Sequence, residues 1–135
     1  MKNRHKRRTG NGHVRHIVVH NTGTRPDMRV RELDKLPYHY IITRGGKLLN
    51  LKPVRKEDKT VEVAWLGGLD RYGRHTDNRT EGQSDTLFNT LVLLTERFPE
   101  AQITPADKLY LYGYANPGFD LIAWLNEYIP AFLAA

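Results

Sequence analysis

The chain of 135 residues has no cysteine. A disulfide framework and a thiolate metal site are therefore both excluded, and redox chemistry says nothing about compartment. No histidine follows His75, so the C-terminal part offers no imidazole to any site. No window approaches the roughly 18 apolar residues that a membrane-crossing helix requires. The apolar run at residues 17–19 is far too short for the core of a signal peptide, which leads to cytoplasmic synthesis as the expectation. Internal repeats and low-complexity segments are missing as well. Acidic residues are absent from residues 1–16, where Lys2, Arg4, Lys6, Arg7, Arg8 and Arg15 stand together.

What remains is the composition of a folded domain. Apolar residues make up 39% of the chain with turn residues spaced between them, unlike a disordered sequence. The length suits one domain with a single core. The net charge of +6 belongs wholly to the N-terminal arm, because the rest of the chain balances its acids and bases. Residues 1–14 read as a flexible basic arm and residues 15–135 as the domain. An arm of this kind, through residues 2–15, suits an anionic partner such as nucleic acid, an anionic membrane or a wall polymer, or serves simply as a solvated tail. No aromatic residues interleave with its charges as on a single-strand stacking platform.

Residues 15–20 form a β-branched run closed by Asn21-Thr22-Gly23, the pattern of a buried strand. A short helix is expected over 26–36. Residues 38–43 and 47–52 pair around Arg44-Gly45-Gly46, whose glycines supply positive dihedrals for a hairpin. Residues 60–66 are a further strand, with either Val61, Val63 and Trp65 or Ala64 and Leu66 toward the core. Thr80-Glu81-Gly82-Gln83 fits a capping box opening a helix with Leu87, Leu91, Leu94 and Phe98 at helical spacing, ended by Pro99. Residues 108–113 alternate leucine with tyrosine as a strand would, so Tyr110, Tyr112 and Tyr114 share one face. A terminal helix carries Leu121, Trp124, Leu125, Tyr128 and Ile129 on one side, with Asp120 as its cap. The expected fold class is α/β (α+β), a central mixed sheet flanked by helices.

Three pieces in order carry a resemblance: Ile17-Val18-Val19-His20-Asn21-Thr22, then Tyr38-His39-Tyr40-Ile41-Ile42, and finally Asn116-Pro117-Gly118-Phe119-Asp120. Gly67-Gly68-Leu69-Asp70 adds a fourth. Together they resemble the N-acetylmuramoyl-L-alanine amidases of the phage-lysozyme type and the peptidoglycan recognition proteins. The resemblance implies a groove over one sheet face where peptidoglycan stem peptides cross a zinc ion, and a phage or prophage origin. It places His20 at the first zinc histidine, Tyr38 at the catalytic tyrosine and Asn116 at the zinc cysteine. The second zinc histidine would fall near residues 108–114, where Tyr110, Tyr112 and Tyr114 stand, and the supporting lysine falls at Tyr114.

A hydrolytic zinc needs about three protein ligands, leaving a place for water whose pKa drops to about 7. With one matching ligand, His20, no cofactor is expected, and zinc enters only if the amidase is active. The first reading is thus a peptidoglycan (muropeptide)-binding domain with impaired catalysis, its groove formed by His20, Tyr38, Tyr112, Tyr114 and Asn116. The partner would be a peptidoglycan fragment or a protein. A second reading is an active zinc amidase with a rebuilt site, for which His20, His75 and Asp107 offer a ligand set. A third is a protein or nucleic-acid interaction module using the basic arm, in keeping with phage lysozymes of this family that also bind RNA polymerase. His39 and His75 read as a hydrogen-bonded strand residue and a solvated loop residue. Because neighbouring strand residues face opposite ways, Tyr38 and His39 should not line one groove.

Overall fold

A computed structural model describes residues 13–111 and 116–134, and the side chains of these residues apart from 30 and 129–134. The basic arm up to residue 12, together with Tyr112 and Tyr114, lies outside the described residues. The described elements are strands β1 (His16–Asn21), β2 (Tyr40–Ile42), β3 (Leu48–Asn50), β4 (Thr60–Trp65) and β5 (Gln102–Pro105), and helices α1 (Glu81–Arg97), α2 (Ala106–Leu109) and α3 (Leu121–Ala134). They build one five-stranded sheet in the order β3-β2-β4-β1-β5. Only β2 and β3 run antiparallel, while β2, β4, β1 and β5 are mutually parallel, so the sheet is mixed, as expected.

The central strands are buried on both faces, which explains why their sequences read as near-continuous apolar runs. On one face Ile17, Val19, Val61, Val63 and Trp65 pack against Leu87, Leu91 and Leu94 of α1 and Leu121 and Leu125 of α3. On the other face Ala64 and Leu66 meet Ile41 and Leu33, while Val18 lies under Ala106, Leu109 and Tyr110. Both parities of β4 therefore face a core. Helix α1 begins at the expected capping box: Thr80 Oγ1 accepts from Gln83 N, and Gln83 Oε1 accepts from Thr80 N. At the head of α3, Asp120 Oδ1 accepts from Ala123 N at 3.1 Å, the cap expected of it.

Four local expectations change. The helix at 26–36 is a 3-10 helix over Val30–Lys35. In the β2–β3 turn only Gly46, at φ +92°, takes a positive dihedral. The strand expected at 108–113 is instead β5, displaced toward the N-terminus, followed directly by the single turn of α2. Ile103 and Thr104 are the β-branched pair that suits an extended run, and Pro105 provides the fixed φ from which α2 starts. Tyr110 consequently follows a helix and does not belong to a sheet. Finally, Tyr38 and His39 precede β2, so strand alternation does not govern them.

The topology also opens a crevice at the strand ends. The connection leaving β1 covers one face through Leu33. The connection leaving its neighbour β4 runs through α1 on the other. Adjacent parallel strands whose connections leave in opposite directions open a crevice beyond their carboxyl ends. Here that crevice lies between His20-Asn21 and Trp65-Leu66.

Candidate functional site

Two covers leave a gap on one face of the sheet. Helix α2 roofs Val18, and the 3-10 segment roofs Ala64 and Leu66. Between them His20 and Glu62 form the floor, diagonal neighbours in the β1–β4 ladder, where Val18 pairs with Glu62 and His20 with Ala64. The cavity above is about 400 Å³ and is also lined by Tyr38, His39, Lys52, Asp58, Thr60 and Tyr110.

Glu62 is the hub of this floor. One carboxylate oxygen accepts from His20 Nε2 at 2.6 Å. The other accepts from Thr60 Oγ1 and from the Tyr110 hydroxyl, each at 2.5 Å. Burial pushes this carboxyl up, but the hydrogen bonds from His20, Thr60 and Tyr110 outweigh it and hold the group below its ordinary value. Glu62 is therefore ionised at neutral pH and can only accept, which places a proton on His20 Nε2. The His20 ring lies 4.8 Å from that of Tyr38 and 5.9 Å from that of Tyr110, stacked on the latter.

His39 is fixed by the same logic. Its Nδ1 accepts from the backbone N–H of Glu62 at 2.9 Å, so Nε2 carries the proton and donates to Asp58 at 3.2 Å. It is a buried strap between β4 and the 52–58 loop, as its hydrogen-bonded reading implied, and it shares the cavity with Tyr38. The Tyr38 hydroxyl is 3.5 Å from the carbonyl of Asn21, the outer limit of a hydrogen bond.

Asn116 lies against Asn21 at the strand ends. It does not line the His20 cavity. Its Oδ1 accepts from Asn21 Nδ2 at 2.9 Å and its carbonyl accepts from Asn21 N, also at 2.9 Å. These residues border a second cavity of about 390 Å³ at the strand ends, with Gly68, His75, Thr76, Asp107 and Phe119. His75 and Asp107 thus share a cavity, but His20 lines the neighbouring one, so the three do not form one lining. His75 is exposed, in keeping with its loop reading. Sequence reasoning missed Glu62 altogether. The available signal was a single carboxylate inside Val61-Glu62-Val63-Ala64, a strand with both faces apolar, where a charge must find partners.

The zinc that the resemblance implies would need about three protein ligands. Among the described residues no three histidine, aspartate or glutamate side chains converge on one point. Residues 112–115 are Tyr-Gly-Tyr-Ala and add no imidazole, thiol or carboxylate. Asn116, at the position of the expected thiolate, is a neutral amide already engaged by Asn21. His20 is the one matching donor.

No family model and no curated protein matches the chain. Solved structures do. The chain is similar to the N-acetylmuramoyl-L-alanine amidase LysC from Clostridium intestinale URNW, at 16% identity with a TM-score of 0.65, over 87% of this chain and 89% of that one. It is also similar to the Ph2119 endolysin from Thermus scotoductus MAT2119 bacteriophage Ph2119, at 18% identity with a TM-score of 0.58, over 75% of each chain. At these identities the likeness is one of architecture. Among the described residues no helix is long and apolar enough to cross a membrane. A mixed five-stranded sheet with helices on both faces, the order of its elements and these two neighbours together establish an amidase-like fold.

Proposed function

We propose that this domain binds peptidoglycan fragments in the His20–Glu62 groove and that its amidase chemistry is impaired. The observation that carries the reading is the floor itself. His20 and Tyr38 line one cavity on the sheet face, His20 matches the first zinc histidine of the resemblance, and its hydrogen-bond partner is the carboxylate of Glu62. The resemblance and the amidase-like fold supply the ligand class, a muropeptide. Tyr38 and Tyr110 offer ring faces and hydroxyls to a sugar or peptide, and Lys52 with Asp58 offers one charge of each sign at the rim.

Metal analysis of the purified protein, paired with turbidity loss of cell-wall suspensions, tests the reading. The expected outcome is less than stoichiometric zinc and no wall-degrading rate that His20→Ala lowers. One tightly held zinc per chain, lost in His20→Ala together with lytic activity, overturns it in favour of an active zinc amidase.

A further inference from the structure

We infer that Glu62 is the positioning residue of the groove: it locks His20 in the tautomer whose free Nδ1 accepts a hydrogen bond from an amide N–H of the bound peptide, without a metal. This deepens the muropeptide-binding reading and rests on it.

Three observations carry the inference. The Glu62 carboxylate takes the proton-bearing Nε2 of His20 at 2.6 Å on one oxygen, while its other oxygen accepts from Thr60 and Tyr110, so in the neutral ring the lone pair is left on Nδ1. The His20 side chain is only 6% exposed, and among the described residues no group hydrogen-bonds Nδ1. A buried acceptor without a partner is costly. His20 lines the cavity, from which a ligand donor can reach the ring.

The lock is also rigid. Thr60 and Tyr110 hold the second oxygen of Glu62, and Tyr110 stacks on the imidazole while Tyr38 tilts against it. Turning the ring over about Cβ–Cγ would break the 2.6 Å bond to Glu62. An acceptor nitrogen presented this way selects a donor, and the amide N–H groups of a stem peptide are donors of the right kind. A ligand's carboxylate or carbonyl oxygen is not.

The test combines a spectroscopic and a binding measurement on the full chain in chelator-treated buffer. Nitrogen-15 correlation spectra of the imidazoles, recorded where they are neutral, should show His20 protonated at Nε2 and bare at Nδ1. Glu62→Ala should abolish this fixed tautomer. Titration with N-acetylmuramoyl-L-alanyl-D-isoglutamine should give binding that Glu62→Ala weakens about five- to tenfold, the worth of one hydrogen bond. His20→Gln guards against misfolding, since its side-chain amide can still donate to Glu62 yet has no acceptor at the Nδ1 place. It should keep the wild-type melting profile and lose binding by the same factor.

Failure of the wild type to bind the probe overturns the muropeptide reading itself. Wild-type binding that Glu62→Ala and His20→Gln leave unchanged, or a His20 protonated at Nδ1, overturns the positioning role alone. Binding that appears only after zinc is added overturns the metal-free part.

Discussion

Trp65 donates its indole N–H to the carbonyl of Pro117 at 2.7 Å, fully buried, and so ties the end of β4 to the loop before α3. Gly118, the next residue, sits at φ +87°, where an added Cβ would come within 2.8 Å of the Trp65 ring and 3.1 Å of Asn21 Nδ2. Both the dihedral and the ring oppose any side chain here. Gly118→Ala should cost about 1–3 kcal/mol, read as a lower midpoint in urea denaturation. An unchanged midpoint would show that the loop relaxes freely.

Gln83 is fully buried at the start of α1, and its amide joins three elements. Nε2 donates to the carbonyls of Ile42 and Leu66, at 3.1 and 2.9 Å, while Oε1 accepts from Thr80 N and Arg44 Nη1. Gln83→Leu should therefore destabilise by more than about 2 kcal/mol, because it strands buried polar groups. Thr80→Ala, which removes the cap, should cost about 1–2 kcal/mol. Equal costs in chemical denaturation would mean that the cap alone matters.

Arg79 lies with its guanidinium carbon 3.4 Å from the centroid of the Phe119 ring, forked onto Asp77 at 2.8 and 2.9 Å. Lysine cannot reproduce a planar stack and a two-point fork together. Arg79→Lys should lose about 1 kcal/mol or more, and a thermal melt indistinguishable from wild type would count against the stack.

Asp58 lies below its ordinary carboxylate value because of the Arg55 backbone N–H and, after the opposing effect of burial, the His39 ring. Its ionised form is thus favoured by folding. The sign follows: the contribution is present above the usual aspartate range and is lost as pH falls through the lowered native value. Asp58→Asn should flatten the acid limb of the stability–pH curve while leaving its shape near neutrality. An acid limb as steep as in wild type would place the proton-linked loss elsewhere.

Much of this architecture is legible in the residues. The apolar run ending at His20 and the Thr80–Gln83 box each have a local cause, and each stands where that cause puts it. The stretch from 102 to 111 does not, because alternating leucines and tyrosines imitate a strand. The pairing energy goes instead to Ile103 and Thr104, which lie beside β1. The site is harder to read than the fold. His20 and Tyr38 announce themselves by motif, but Glu62 becomes meaningful only when the β1–β4 register sets it diagonal to His20. Asn116 is held at the strand ends by three hydrogen bonds from Asn21, which its motif position alone does not reveal.

The position of β1 in the sheet has a kinetic consequence. Its two neighbours come from residues 60–65 and 102–105, and it has no hairpin partner. During synthesis its apolar run must wait, exposed, until most of the domain has been made. Such distant pairing predicts slow folding relative to a helical domain of this size, with the half-made chain most prone to stick to others at residues 16–21.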